Sequence, residues 1–244
     1  MRLSRTTMAL CLFPCFLFVG CDSEHIATYP SMSDQQAMQI LIDRSRRIRT
    51  VSAQGLVTLE RPSGEIVRLD AALAIQPPTN ARLRAWKLGQ AVFDITLTPQ
   101  GLWVVAPQED QTPFDDHTAN VARQWLRSMT GTFEDAGVIA EDSVTRLILK
   151  QQADNGATIV CEVDRKTLTA RRYILRNREF QQRFQLTLSR YAEFNGIVWP
   201  QRIEAVGPSG RITIDLREIE INGELPSAAF HPPARAVKVA ETLP

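Results

Sequence analysis

"FQQRFQLTLSRY", residues 180–191, sets the period by which most of this chain is read. Phe180, Phe184, Leu186 and Leu188 fall on one side, and Gln181, Arg183, Gln185, Thr187 and Ser189 fall on the other. Side chains alternate across a strand, so a repeat of two marks a half-buried β-strand with one apolar face. The same alternation returns on both sides of it. Upstream, Val51, Ala53, Gly55, Val57 and Leu59 alternate with mostly polar partners, "RPSG" turns the chain, and Val67, Leu69, Ala71, Leu73 and Ile75 repeat the pattern. Residues 81–86, 91–97 and 101–105 are three further strands behind short turns, which makes five consecutive strands an antiparallel meander.

Further strands are expected at 144–151, 157–164, 170–175, 198–206 and 211–221. In the last of these the apolar phase jumps from Ile212, Ile214 and Leu216 to Ile219 and Ile221, which places a β-bulge near Arg217. Two stretches follow the helical period instead. "SDQQ" (33–36) reads as a capping box before Ala37, Ile40, Leu41 and Ile48, with Arg44, Arg46, Arg47 and Arg49 largely on other faces. Val121, Ala122, Trp125, Leu126 and Met129 form the apolar stripe of a second helix that ends near Gly131. About eleven strands sharing one apolar face cannot lie flat, because sheets twist and curl. The expected fold is mainly β (α+β): one strongly curved, incompletely closed antiparallel barrel with helices over its concave apolar side.

The amino terminus carries different information. Arg2 and Arg5 precede an apolar run at 8–20, too short to span a bilayer and shaped like an export signal. The run ends in Phe18-Val19-Gly20-Cys21, which resembles the lipobox of bacterial lipoproteins, although Phe18 stands where that motif usually has Leu. The resemblance implies cleavage before Cys21 and acylation of its thiol; the alternative is an ordinary signal with an incidental cysteine. Cys11 and Cys15 leave with the signal, and the remaining pair, Cys21 and Cys161, makes no disulfide framework. The expected organisation is a signal peptide at 1–20, a lipidated tether at 21–32, one domain at 33–233 and a flexible tail at 234–244.

Without residues 1–20, 26 basic residues face 27 acidic ones, and a net charge of −1 gives no electrostatic case for nucleic acid. His25, His117 and His231 are scattered and lack the close second ligand of a metal site. No nucleophile elbow, zincin helix, P-loop or dinucleotide fingerprint occurs. "FDDH" (114–117) reads as an acidic helix start, while Asp70 and Asp94 sit in strands without an evident partner. No catalytic residues, metal or cofactor are expected, and the chain is read as a non-enzyme.

Three stretches resemble the LolA/LolB superfamily of lipoprotein carriers and receptors: "SAQGLVTLERPSGEIVRLDAALAIQPPTNARLRA" (52–85), "RAWKLGQAVFDITL" (84–97) and "YAEFNGIVWPQRIEAVGPSGRITIDLREIEINGELPSAAFHPP" (191–233). The likeness covers 36–233. It implies a half-barrel that holds acyl chains of lipoproteins or lipids, lipoprotein sorting or transfer to the outer membrane, and a carrier protein as partner. Under that reading Leu69, Leu73, Phe93, Ile95, Phe184, Leu186 and Leu188 line the cavity, and Trp125 closes it from the lid helix. Leu88 falls where LolB carries an exposed leucine used in membrane insertion of cargo; the alternative is a turn residue folded back on the strand ends. The lipobox is LolB-like and the carboxy-terminal pattern LolA-like. The anchor places the chain in the bacterial envelope facing the periplasm, at the outer or inner membrane. A structural or interaction lipoprotein with a filled core on the same scaffold remains the other reading.

Overall fold

The computed structural model describes residues 26–105, 137–139, 145–152, 158–176, 182–207 and 210–241. The expected second helix, Trp125, Cys21, His25 and His117 lie outside the described residues. One helix, α1 (Asp34–Arg46), precedes strands β1 (Val51–Glu60), β2 (Ile66–Gln76), β3 (Asn80–Lys87), β4 (Gln90–Thr98) and β5 (Gly101–Val105). A second run follows: β6 (Gly137–Ile139), β7 (Arg146–Gln152), β8 (Thr158–Asp164), β9 (Thr169–Arg176), β10 (Gln182–Phe194), β11 (Ile197–Gly207), β12 (Gly210–Ile221) and β13 (Val237–Glu241). All thirteen join one antiparallel sheet in the order β13-β5-β4-β3-β2-β1-β12-β11-β10-β9-β8-β7-β6. The sheet is two meanders fused where β1 pairs with β12, and its ends stay open.

The expected strands are β1–β5 and β7–β12. Beyond the roughly eleven expected strands, the described residues add two short edge strands, β6 and β13, of three and five residues. Segments that short carry too few positions for a period to show. Within the stretch expected as a flexible tail, Val237–Glu241 pairs with β5, Val237 opposite Val104 and Lys238 opposite Trp103.

Local chemistry sets the joints. Arg217 is skipped in the β1–β12 register, where Gln54 faces Glu218 but Gly55 faces Leu216, so the bulge stands where the phase change put it. Gly55 is required there, since a Cβ would lie 2.1 Å from the Asp215 carbonyl oxygen. Asn195 and Gly196, at φ 52° and 76°, make the two-residue turn that closes the β10–β11 hairpin.

α1 starts as expected. The Ser33 hydroxyl accepts from the Gln36 N–H, and Gln36 Oε1 accepts from the Ser33 N–H. Ala37, Met38 and Leu41 are buried against the sheet. Arg44 Nη1 donates to the carbonyls of Thr167 (3.3 Å) and Leu168 (3.1 Å), and Asp34 pairs with Arg165, which moors the helix to the β8–β9 turn. The Tyr29 N–H donates to the Lys166 carbonyl at 2.7 Å, so the docked domain begins before residue 33.

From Asn222 the chain crosses the side of the sheet opposite α1. The Asn222 side chain clasps the α1–β1 link, accepting from the Arg49 N–H (2.7 Å) and donating to the Arg47 carbonyl (2.9 Å). Further on, Arg82 Nη1 donates to the Ala229 carbonyl and Arg235 to the Ala91 carbonyl, and then β13 joins β5. Asp94, Thr96 and Thr98, which alternation alone would leave wet, are buried, and Arg82 links Asp94 to this strap.

Candidate apolar binding face

Register places the apolar side chains in rows across the sheet. Leu188, Ile203, Ile214, Val57 and Leu69 stand side by side on five adjacent strands. A second row runs Ile219, Ala53, Leu73, Leu83, Ile95 and Val104. Leu186 continues through Tyr173 and Cys161 to Leu149. Leu69, Leu73, Phe93, Leu186 and Leu188 therefore belong to one buried cluster, with Ile95 and Phe184 partly buried against it. The structure brings all seven described lining candidates to one face.

Between the bulky rows lies a low one. Gly55, Ala71 and Ala85 are successive cross-strand neighbours, ending at Phe93. Reading for bulky apolar residues passes over this furrow, although small residues on the strongly apolar side of β1–β3 were its visible signal.

The face far exceeds its one described helix. Thirteen strands at ~4.8 Å spacing measure roughly 58 Å across if flat, against about 20 Å of length for a 13-residue helix. α1 lies over β9–β11, where a half-open cavity of about 80 Å³ remains between Leu41 and Ile48 of the helix side and Leu188 and Ile197 of the sheet. Pockets for small organic ligands commonly hold about 300–1,000 Å³. The face is thus nearly closed beneath α1, and an acyl chain entering there must displace side chains or the helix. A wider groove of about 640 Å³ lies on the opposite side, between the strap and β1–β3, but Arg82, Arg84, Glu218 and Glu220 in its walls suit water better than hydrocarbon.

Leu88 stands alone at the tip of the β3–β4 hairpin, 94% exposed, so it is not folded back on the strand ends. Its φ is 50°, followed by Gly89 at 79°, the two-residue turn geometry that normally selects Asn-Gly. A leucine there pays roughly 1–2 kcal/mol in backbone strain and gains no packing. Among the described residues no helix is long and apolar enough to cross a membrane, and no group of three or more His, Cys, Asp or Glu side chains could hold a metal. His231 sits exposed in the strap.

No family model matches the sequence, and neither does any curated protein. Solved structures do match. A domain from Vibrio parahaemolyticus assigned to outer membrane lipoprotein sorting aligns with a TM-score of 0.57 at 12% identity, over 82% of this chain and 97% of that one. A DUF1329 family protein from Desulfovibrio piger gives 0.58 at 12% identity, over 82% and 98%. A LolA superfamily protein from Nitrosomonas europaea gives 0.54 at 12% identity, over 79% and 96%. The chain has a LolA-like fold.

Proposed function

We propose that the protein is a lipid-anchored component of the bacterial envelope that takes up acyl chains of lipoproteins or lipids on the apolar face of its curled sheet. The unbroken apolar rows from β10 to β4 carry this reading. They supply a continuous hydrocarbon-compatible surface across seven neighbouring strands, on a fold shared with a domain assigned to lipoprotein sorting. Burying about 14 methylenes at roughly 0.8 kcal/mol each gives some 11 kcal/mol gross. Opening the closed face consumes part of that, which leaves an affinity from which cargo can be released. Acylated Cys21 holds the domain at the membrane, and Asp22 beside it favours inner-membrane retention where the enteric rule applies. A carrier protein that exchanges cargo with it is the corresponding partner.

The small cavity under α1 favours the second reading, a filled scaffold that only presents surfaces to partners. Native mass spectrometry and uptake of a fluorescent fatty acid separate the two. Co-purifying lipid, or saturable uptake competed by palmitate, is expected; a clean apo mass with no uptake leaves only the scaffold.

Leu88 then serves as the point of contact with the bilayer. Leu88→Asn creates the preferred Asn-Gly turn, so thermal denaturation should show a gain of about 1 kcal/mol from relieved strain. Cargo transfer to vesicles should fall about tenfold, since a leucine side chain inserted into lipid is worth roughly 1.5–3 kcal/mol. Unchanged transfer by the more stable variant would remove Leu88 from the mechanism.

A further inference from the structure

Two cross-strand rows on the side of the sheet away from α1 repeat one pattern. Arg84, Ala72, Gln54 and Glu218 are successive neighbours from β3 to β12. Two residues along each strand, Arg82, Ala74, Ser52 and Glu220 form the next such row. Positions two apart on a strand share a face, so both rows begin with a cation, cross neutral side chains and end with an anion. The groove of about 640 Å³ lies over these rows, with Trp86 two positions beyond Arg84 and the strap as a further side. Its volume is of the size that small-ligand sites commonly have, about 300–1,000 Å³.

The opposite charges on the two walls do not meet. Three strand spacings put β3 and β12 about 14 Å apart, well beyond a directly opposed pair. Arg82 is spent on Asp94 and the Ala229 carbonyl. Arg84 makes no hydrogen bond among the described residues and stands half exposed, 3.9 Å from an Asp94 carboxylate that Arg82 already holds. Glu218 and Glu220 are exposed and form no ion pair among the described residues. The groove thus has an available cation on one wall and two available carboxylates on the other. Ala72, Ala74 and Ser52 keep the floor between them low, and Gln54 adds an amide that can bond a peptide backbone.

Charge complementarity selects the occupant. The charged walls exclude hydrocarbon, Glu218 and Glu220 repel a polyanion, and a purely basic segment leaves Arg84 unanswered. Glu218 and Glu220 stand roughly 6.8 Å apart along β12, the repeat at which side chains of an extended peptide return to one side. We infer that the groove binds an extended polypeptide segment with basic side chains at two alternate positions, facing Glu218 and Glu220, and an acidic side chain between them, facing Arg84. The site lies on the opposite side of the sheet from the apolar face and does not depend on the acyl-binding reading.

Indole ¹H–¹⁵N spectra of the purified protein at low ionic strength, where surface charges are least screened, test it. The Trp86 signal is identified by its loss in Trp86→Phe. The pentapeptide Gly-Lys-Asp-Lys-Gly, blocked at both ends, should move that signal and saturate. It should bind about tenfold more tightly than Gly-Asp-Lys-Asp-Gly, which reverses every charge. Glu218→Gln with Glu220→Gln should remove about the same factor, and Glu218→Lys with Glu220→Lys should reverse the preference between the two peptides. Arg84→Gln should abolish any advantage of Gly-Lys-Asp-Lys-Gly over Gly-Lys-Gly-Lys-Gly. The glutamate changes lie at exposed side chains, so thermal denaturation should show the fold intact. No saturable shift with any of these peptides overturns the inference, and so does equal binding of the two reversed charge patterns. A shift with the neutral sugar chitotriose and none with the peptides assigns the groove to saccharides and overturns it as well. Peptide binding without fatty-acid uptake keeps this site and removes the carrier reading alone.

Discussion

Arg82→Ala is expected to cost about 3–5 kcal/mol, because it strands a buried carboxylate. Arg82 grips Asp94 through Nε, at 2.9 and 3.2 Å from the two oxygens, and through Nη2 at 2.6 Å. Asp94 is 2% exposed, and its remaining partners are the Thr96 hydroxyl at 3.1 Å and Arg84, 3.9 Å away and half in water. Neither replaces a fork of donors aligned on the carboxylate. The same guanidinium holds the Ala229 carbonyl, so the variant also loosens the strap where it crosses β3. Domains are commonly stable by only ~5–15 kcal/mol, and the loss should show directly in a urea midpoint. Combining Arg82→Met with Asp94→Leu should recover most of it, since a buried pair replaced by apolar groups of similar size is often neutral. If the single change costs under about 1 kcal/mol, Arg84 has taken over and the strap is held by other contacts.

Thiol chemistry provides the second large effect and tests the proposed anchor. Burial pushes the Cys161 thiol up to about 12, further raised by nearby Glu162 and only partly countered by a hydrogen bond with Tyr173. At pH 8 an ordinary thiol near 8.5 is about a quarter ionised, whereas Cys161 would be ionised to roughly one part in ten thousand. Native protein should therefore react with a maleimide or disulfide reagent at least about a thousandfold more slowly than a free cysteine. On the proposed lipid-anchor reading, in which acylation occupies Cys21 and cleavage removes Cys11 and Cys15, denaturation should release one thiol. Two thiols per mature chain would exclude the lipid anchor; rapid native labelling with one thiol would mean that the face beneath Cys161 is open. The same displacement has a stability consequence with a definite sign. The folded state keeps a proton that the unfolded chain loses, so stability declines as pH rises from about 8.5 towards 12. Burial also holds the Tyr173 and Tyr191 hydroxyls above their ordinary range, which steepens the loss in alkali.

What the chain discloses by itself is whatever repeats within a few residues. The two-residue period of β10, the skipped Arg217, the Asn195–Gly196 turn and the Ser33–Gln36 box all follow from local sterics and hydrogen bonding, so their signals are local. The seven apolar positions that share one face follow from that period as well. Tertiary structure alone decided what lies behind the sheet. Asp94, Thr96 and Thr98 alternate as solvent-facing residues do, yet they are buried, and Arg82, which grips Asp94, is held by the strap through a contact 147 residues away in sequence. It likewise decided that a tail would become an edge strand, that the space beneath α1 would be small, and that Trp199 would be left with an unanswered donor. Periodicity assigns a side chain to a face, but the space and partners it meets there depend on segments distant in sequence, whose approach leaves no periodic trace in either strand.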